Sequence, residues 1–502
     1  MASSRRLRPL SRSGRIFSLN AFPSRPSHHR SFSVSLQSQN AHPSQIRTWE
    51  ISPTDLTSLR VNPSRLLTTL HDTCAWGTGS RYGPDPTQTG MSRLSLSDAD
   101  KQARDWFVET TKSLGCKVTI DKMGNIFAVR SGRVEGKPPT CVGSHLDTQP
   151  RGGRYDGILG VVAGVEMLRV LEERGVETGF PVGVVNWTNE EGARFPVSMV
   201  SSGVWAGEIP LERAHGLREV GGGSATMREE LERIGYLGEV DASYEAMPMA
   251  AHFELHIEQG PILEKEERKI GIVEGVQAYR WFTIEVVGRE AHTGTTPFSA
   301  RADPLLAASW MICLSRGAAA EFDGGLASTG ILTLEPGSVN TIPGRVKFSL
   351  DIRAPTDRIL DMLEKRIRSD FDNVITEATR GGDGMSVSWQ TDSLSPAVHF
   401  HERCIEAVSD SATAVLGDEH LARRMTSGAG HDSVYASRRC PTSMIFVPSR
   451  DGISHNPKEY TSPDDCAIGA DVLMQSVLSY DRHRVGAEGG PHGLFLPAEG
   501  SK

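Results

Sequence analysis

The sequence is poor in the features that mark several large classes of protein. Its seven cysteines are dispersed and none forms a Cys-x-x-Cys pair, which argues against a disulfide framework and against a cysteine-ligated zinc site. No run of about 18 apolar residues occurs, so no membrane-spanning segment is expected. The formal net charge of -8 implies no basic face, so nucleic acid is not an expected partner. With 502 residues, the chain is long enough for two domains with sizeable cores.

The two ends of the chain differ in composition from the rest. Residues 1–49 contain eight arginines and many serines, and no acidic residue precedes Glu50. This composition is typical of a mitochondrial transit peptide, so we predict import into the mitochondrial matrix. The alternative is a cytoplasmic protein with an N-terminal tail that carries no targeting signal. Residues 485–502 are rich in glycine and proline, and we expect them to be disordered.

The central part of the chain alternates between strand and helix patterns. A short apolar strand at Thr140–Ser144 is followed by a helix at Gly160–Arg174 and by an apolar strand at Val182–Asn186. This order predicts an α/β domain with helices on both faces of a parallel sheet. We assign residues 50–268 and 390–484 to this domain.

A second unit is predicted as an insertion over residues 269–389. Its pattern begins with a strand at Arg280–Val287 and a helix at Asp303–Leu314, and continues with two strands, a helix and a strand near Met385–Trp389. Strand-helix-strand-strand-helix-strand is the order of a ferredoxin-like α+β unit. The predicted fold class is therefore α/β with an inserted ferredoxin-like α+β unit.

Five short segments combine histidine, aspartate and glutamate with glycine beside predicted strand ends and loops. They are Gly143–Thr148, Gly152–Gly157, Asn189–Gly192, Glu254–Gly260 and Ser454–Pro457. Functional groups collect at the carboxyl ends of strands in an open α/β sheet, so we expect these segments to converge. Each segment alone is weak evidence, because adjacent acids are common on solvated surfaces. Together they indicate a metal site.

The residue types in these segments suit metal-dependent hydrolysis. His145 can present an imidazole at a strand end, and we expect the carboxylate of Asp147 to accept its second ring N–H. Glu190 and Glu191 would repel each other unless a cation lies between them or one of them holds a proton. A metal-binding carboxylate beside a proton-transferring one satisfies both conditions.

The chain resembles a known family on seven stretches, which are Gly143–Gly160, Asn186–Phe195, Glu254–Gly260, Ala291–Arg301, Ser338–Arg353, Ser427–Asp432 and Gly452–Tyr460. It is similar to the di-zinc amidohydrolases related to aminoacylases and carboxypeptidases. Within them it resembles the branch of N-carbamoyl-L-amino acid hydrolases, β-ureidopropionases and allantoate amidohydrolases. The resemblance extends from about Leu66 to Tyr480. It implies a di-metal exopeptidase-like catalytic domain and a dimerisation role for the inserted unit.

The resemblance also implies two divalent ions per subunit and their ligands. The implied ligands are His145, Asp156 and His256 for one ion, and Asp156, Glu191 and His455 for the other, with Asp156 bridging. Glu190 would be the general base. Zinc is the family's usual metal, and histidine with carboxylate ligands also suits manganese or cobalt.

Further site residues are implied around the substrate. Arg353 and Asn340 would bind the substrate carboxylate, which a guanidinium can hold with two parallel bonds. Gln259 and His431 would line the pocket. His292 would stabilise the oxyanion, and in the family this histidine comes from the neighbouring subunit. The resemblance therefore implies a homodimer with shared active sites.

We predict hydrolysis of N-carbamoyl amino acids to ammonia, carbon dioxide and the amino acid. Thr148-Gln149-Pro150 resembles the carbamoyl amino acid and β-ureidopropionate members more than the allantoate enzymes. An allantoate or ureidoglycine amidohydrolase is the main alternative, and a peptidase or aminoacylase is another. A dimeric metal-binding scaffold is the non-enzymatic alternative, against which Glu190 beside Glu191 argues. An α- and a β-amino acid differ by one methylene, worth about 1–3 kcal/mol in a pocket, so the sequence leaves both open.

Overall fold

The computed structural model describes residues 46–47, 58–378 and 384–488. The predicted transit segment lies outside the described residues except for the two-residue strand Ile46–Arg47, which pairs with Val176–Glu177. The prediction of disorder from residue 485 is wrong for residues 485–488, because the last helix, Pro463–Glu488, continues through them. Within the described ranges, every helix is too short or too polar to span a bilayer.

The larger of the two main sheets has nine strands, and four parallel strands form its centre. Across the sheet they are Thr442–Val447, Ala251–Ile257, Thr140–His145 and Val182–Trp187. Every residue of these four strands is buried, as expected for parallel strands covered on both faces. Because the strands run in the same direction, their carboxyl ends lie along one edge of the sheet.

The strand Val182–Trp187, at one side of the four central strands, shows how both faces of the sheet are covered. Val182 and Val184 belong to the main hydrophobic core, whereas Val185 and Trp187 belong to a smaller core on the other face. This division follows from the period of two in a β-strand. The main-core face is covered by the helices Ile158–Glu173, Glu402–Leu416 and Pro463–Glu488. The other helices of this part of the chain are Pro63–Thr73, Asp98–Ser113, Val200–Trp205, Leu211–His215, Met227–Ile234, Ile262–Lys265 and Asp432–Ala436.

Five further strands complete the nine-stranded sheet. Ile126–Arg130 and then Lys117–Ile120 extend it beyond Val182–Trp187. On the other side, Ile270–Val276 pairs antiparallel with Thr442–Val447, and it also pairs with the strands Ala422–Ser427 and Val398–His399. The predicted start of the insertion at residue 269 is therefore too early, because Ile270–Val276 is part of the larger sheet. A separate two-stranded sheet joins Thr78–Arg81 to Thr89–Met91.

The inserted unit is an antiparallel sheet of five strands with its own hydrophobic core. Ala278–Val287 and Arg345–Ala354 are the central strands, Ser386–Ser395 is one edge, and Leu326–Ser328 and Leu332–Glu335 share the other. The helices Pro304–Ala319 and Asp357–Ala378 pack on this sheet. The strand order is that of a ferredoxin-like fold, so the predicted fold class is confirmed. Its pairing ends at Ser395, six residues beyond the predicted limit at 389.

Candidate metal centre

Each of the four parallel central strands has a potential metal-ligating side chain at its carboxyl end or in the loop that follows. In the order of the strands across the sheet, these side chains are His455, His256, His145 and Glu191. A fifth group, Asp156, lies in the loop just before the helix Ile158–Glu173. Residues far apart in sequence therefore meet at one edge of the sheet, as the position of functional sites in open α/β sheets predicts.

Asp156 stands between two groups of possible metal ligands. Its Oδ1 lies 3.5 Å from Nε2 of His145 and 3.0 Å from Nε2 of His256. Its Oδ2 lies 3.6 Å from Nε2 of His455, which in turn is 3.3 Å from Oε2 of Glu191. In each triad the ligand atoms lie within 4.8 Å of one another. The two triads that share Asp156 are the two ligand sets implied by the sequence resemblance.

The hydrogen bonds of two histidines leave their Nε2 atoms facing this space. Nδ1 of His145 lies 2.9 Å from the carbonyl oxygen of Asp147, and Nδ1 of His256 lies 2.9 Å from that of Ile257. A carbonyl can only accept, so each Nδ1 donates and the neutral ring presents an Nε2 lone pair. The Nε2 atom of His145 is buried and has no hydrogen-bond partner among the described residues. Two such rings are well suited to hold a divalent ion.

The predicted role of the Asp147 carboxylate is wrong. The carboxylate oxygen is 4.0 Å from Nδ1 of His145, and the backbone carbonyl of Asp147 accepts that hydrogen bond instead. The Asp147 carboxylate accepts the backbone N–H groups of Glu190 and Glu191, each at 3.3 Å. Its short side chain, two residues after the ring, points back to the neighbouring strand end. Asp147 therefore orients the glutamate pair rather than the imidazole.

Gln149 was not identified from the sequence as a site residue. Its side-chain amide donates to Oε2 of Glu191 at 2.8 Å, and its backbone N–H donates to Oε1 of Glu191 at 3.1 Å. Both oxygens of this carboxylate are thus held by one residue. Hydrophobic periodicity does not predict this contact, because it joins loops that follow two different strands.

Buried negative charge dominates the electrostatics of the site. Burial raises the pKa of Glu190 well above its usual range, and the carboxylates of Asp432, Glu191 and Asp156 add to this effect against the attraction of His145. Burial, together with Asp156, raises the pKa of Glu191 to about 8. Such crowding is costly unless cations neutralise it. The donor set, the unpartnered Nε2 atom and this surplus of carboxylates all fit a pair of divalent ions.

A cavity of about 320 Å³ lies in front of the two triads. Glu190 lines it, is only 7% exposed, and places Oε2 3.5 Å from Nε2 of His145. The inserted unit supplies another part of the wall through Tyr279, Trp281 and Arg353. The cavity therefore places a buried carboxylate, two candidate ion positions and a guanidinium around one space that a small molecule could fill.

Arg353 is held so that part of its guanidinium stays available. Its Nε and Nη2 donate to the carboxylate of Asp351, Nη2 at 2.8 Å, and its Nη1 donates to the carbonyl of Gly428 at 2.9 Å. The group also lies over the ring of Tyr279, 5.4 Å from its centroid. A guanidinium has five N–H groups, so two remain without a partner in the described part of the chain. Two N–H groups can hold a carboxylate.

Gln259 and His431 both line the cavity, where the resemblance placed them. Gln259 has a left-handed backbone with φ of 58°, and its side-chain amide donates to Oδ2 of Asp156 at 2.7 Å. The ring of His431 lies edge-on to that of His256, with centroids 4.5 Å apart. Burial and the neighbouring His256 lower the pKa of His431 well below its usual value, so it is neutral. Gln259 thus contacts a candidate metal ligand as well as the cavity.

His292 and Asn340 lie apart from the other predicted site residues. His292 belongs to the short strand Ala291–His292, which pairs with Thr341–Ile342. Both side chains are exposed, and within the described chain neither lines the cavity. Nδ1 of His292 accepts the backbone N–H groups of Gly294 and Thr295 at 3.1 and 3.2 Å. The structure does not bring this pair to the triads of its own chain.

Comparison with known proteins identifies the family. Residues 141–479 match the peptidase family M20/M25/M40. The chain belongs to this family. A curated relative, the N-carbamoyl-L-amino-acid amidohydrolase of Rhizobium meliloti, is 39% identical over 420 residues, which cover 84% of this chain and 96% of the relative. The allantoate amidohydrolase of Bacillus subtilis is 34% identical over 395 residues, which cover 78% of this chain and 93% of that enzyme.

The fold is shared with solved structures as well. A hydantoinase/carbamoylase-family amidase from Burkholderia multivorans is 41% identical, with a TM-score of 0.77, and the match covers 84% of this chain and 98% of that one. The resemblance inferred from the sequence motifs is thereby confirmed. Within the M20 family, the chain falls in the branch that contains amidohydrolases of carbamoyl and ureido compounds.

Proposed function

We propose that this protein is a metal-dependent hydrolase that cleaves the carbamoyl C–N bond of N-carbamoyl amino acids. The observation that carries the proposal is one cavity in which two ligand triads share Asp156, with Glu190 beside them and the Arg353 guanidinium in the wall. The names of the Rhizobium and Burkholderia proteins support the same substrate class. The products are ammonia, carbon dioxide and the amino acid.

The residues of the site have different roles in this reaction. The two triads would hold divalent ions, which would acidify a water molecule and stabilise negative charge on the substrate. Glu190 accepts the proton of the attacking water and returns it to the leaving nitrogen, which its position beside the triads allows. Asp147 keeps Glu190 in place through its backbone N–H. Glu190 belongs to neither triad, so it is free to transfer protons.

Arg353 selects the substrate by its carboxylate. Asp351 and Gly428 fix the guanidinium that carries the two remaining N–H groups, so little side-chain entropy is lost when the carboxylate binds. His431, which is neutral, and Gln259 contribute polar contacts in the same cavity. This arrangement favours substrates in which a carboxylate and a ureido group are separated by a short linker.

The experiment is a panel of substrates assayed for ammonia release. The panel contains N-carbamoyl-L-amino acids, N-carbamoyl-β-alanine, allantoate and N-acetyl amino acids. We expect the highest kcat/KM for an N-carbamoyl amino acid. Hydrolysis of allantoate alone would instead assign the activity of the Bacillus subtilis relative. Absence of turnover on the whole panel by the metal-loaded protein would favour the scaffold alternative, in which the buried Glu190 has no role.

We also propose a homodimer whose active sites are completed across the interface. His292 and Asn340 are exposed and do not line the cavity of their own chain, which suits donation to a partner. The helix Pro304–Ala319 exposes an apolar stripe of Leu306, Trp310 and Leu314, each at least 40% exposed. Their spacing of four residues places them on one helix face, as a packing surface requires.

Complementation between two inactive variants tests this shared site. Glu190→Ala and His292→Ala chains are co-expressed, and activity is compared with that of each variant alone. In a mixed dimer, one site carries both lesions, and the other combines Glu190 of one chain with His292 of the other. Random pairing makes half of the dimers mixed, so activity should recover to about a quarter of wild type. No recovery would show that His292 acts within its own chain or has no role.

Import into mitochondria is the proposed role of residues 1–49. Their arginine-rich, acid-free composition supports it. A fluorescent protein fused behind residues 1–49 should enter mitochondria, and the same fusion with the eight arginines changed to glutamine should not. A cytoplasmic signal from the unmodified fusion would contradict the proposal.

A further inference from the structure

A buried carboxylate that belongs to neither triad lies directly behind the shared ligand. Glu459 is 2% exposed, and its Oε1 accepts the backbone N–H groups of Tyr155 and Asp156, each at 3.0 Å. These are two consecutive N–H groups of the loop that carries Asp156. One oxygen therefore fixes the backbone from which the shared ligand projects.

The second oxygen of Glu459 ties this loop to another part of the site. Ser454, which precedes His455, has its hydroxyl 3.3 Å from Oε2 of Glu459 and 2.9 Å from Oδ2 of Asp156. The hydroxyl has one proton, so it can donate to only one of the two carboxylates at a time. It also accepts from the side-chain amide of Gln259 at 3.0 Å. Glu459 thus joins the loop of one triad to the loop that supplies His455 to the other.

Gly153 leaves the space that Glu459 occupies. A Cβ atom on Gly153 would lie 2.2 Å from Oε1 of Glu459 and 2.3 Å from its Cβ and Cδ atoms. Atoms cannot approach so closely, so any side chain at this position would displace the carboxylate. The glycine gives a second, independent way to disturb the same contact without removing Glu459.

We infer that Glu459 is a positioning residue that sets the affinity of the site for both ions by fixing Asp156. The inference rests on the proposed metal site. Because Asp156 is common to the two triads, displacing its loop should weaken both positions together rather than one of them. Partners behind metal ligands typically change affinity or activity by about 10–100-fold when they are removed.

Three variants test this role, with metal affinity as the main measurement. Glu459→Ala should lower the affinity for zinc by about 10–100-fold in a chelator competition. Glu459→Gln should recover most of it, because its amide carbonyl can still accept both N–H groups. Gly153→Ala should reproduce the loss although Glu459 is present. If Glu459→Ala fails to fold, Gly153→Ala carries the test, with Glu459→Asp, which is one methylene shorter, as a third disturbance.

Asp481 provides a matched control for the general effect of losing a buried carboxylate. It is fully buried, and it accepts the consecutive backbone N–H groups of Gly179 and Phe180 at 2.7 and 2.8 Å. These groups precede the strand Val182–Trp187, so they lie at the edge of the sheet opposite the triads. Asp481→Ala should lower the melting temperature, as Glu459→Ala does, but bind zinc as the wild type does.

The outcomes separate this inference from the proposed function. Wild-type zinc affinity in Glu459→Ala or Gly153→Ala would overturn the positioning role and leave the proposed hydrolase intact. An equal loss of affinity in Asp481→Ala would also overturn it, because the effect would then be global. A wild-type protein that binds no divalent ion would refute the metal site itself, and the inference with it. Two bound ions per chain that weaken together in the Glu459 variants would support it.

Discussion

The exchange of Glu190 for glutamine tests the division of labour between two adjacent carboxylates. Glutamine keeps the size of the side chain, and the backbone N–H of residue 190 remains bonded to Asp147 at 3.3 Å. The metal triads do not include residue 190, so both ions should stay bound. What is lost is a group that can accept and return a proton.

The size of the effect follows from the surroundings of Glu190. General acid–base catalysis contributes about 10²–10⁴-fold, which corresponds to roughly 3–5 kcal/mol of transition-state stabilisation. Neither Glu191 nor Asp147 is placed to take over, because Glu191 is held by Gln149 and lies against His455, and Asp147 is bonded to backbone N–H groups. We therefore expect a loss in the upper half of this range, with kcat and kcat/KM falling together.

Stability and metal content provide the checks on this variant. Burial and the nearby carboxylates raise the pKa of Glu190, so its ionised form is unfavourable in the metal-free protein. A neutral amide should therefore leave the melting temperature of the metal-free protein unchanged or raise it. The assays are steady-state kinetics, elemental analysis and thermal denaturation, with Glu191→Gln as the matched variant that should lose an ion. Loss of an ion from Glu190→Gln, or activity within tenfold of wild type, would refute the assigned roles.

Three further predictions concern the same site. Removal of metal by chelation should abolish activity, and addition of zinc, manganese or cobalt should restore it. Full activity in protein shown by elemental analysis to be metal-free would refute the proposed metal dependence. Arg353→Lys should reduce kcat/KM on carboxylate substrates at least about tenfold, because a charge-assisted hydrogen bond to the carboxylate is lost. The reduction should be much smaller on a carboxamide analogue, and equal losses on both substrates would exclude Arg353 as the carboxylate-binding group. Gly157→Ala should weaken metal binding at least about tenfold, because the added Cβ would lie 2.3 Å from the ring of His145. Gly136→Ala is the control: this glycine also has a positive φ but has open space around it, so the variant should bind metal normally.

The local sequence pattern predicted helices and strands and identified the side chains that could form the site. The strands predicted at Thr140–Ser144 and Val182–Asn186 are present, and each is one residue longer in the structure. They could be predicted because a continuous apolar run between polar loops is characteristic of a buried parallel strand. The motif residues were also evident, since histidine and acidic residues beside glycine and strand ends are uncommon in combination. The strand order of the inserted unit followed from its sequence of elements.

Hydrophobic periodicity does not predict which distant strands pair with each other. The strand Ile270–Val276 has the same local pattern in either sheet, and only its hydrogen bonds to Thr442–Val447 assign it to the larger one. Disorder was predicted from residue 485, but the last helix continues to Glu488, where buried contacts such as those of Asp481 and Arg484 compensate for weak amphipathicity. Tertiary packing overrides local preference at such ends.

The sequence alone thus determined the family, and its residue types indicated the candidate metal ligands and their chemistry. Only the tertiary structure decided how they are supported: that Asp147 bonds to the backbone of the glutamate pair, that Gln149 holds Glu191, and that Glu459 fixes the loop of Asp156. It also decided that His292 lies away from its own cavity. The physical reason is that a ligand can be recognised from its own chemistry, whereas a hydrogen-bond partner 303 residues away is chosen by the folded geometry of both loops.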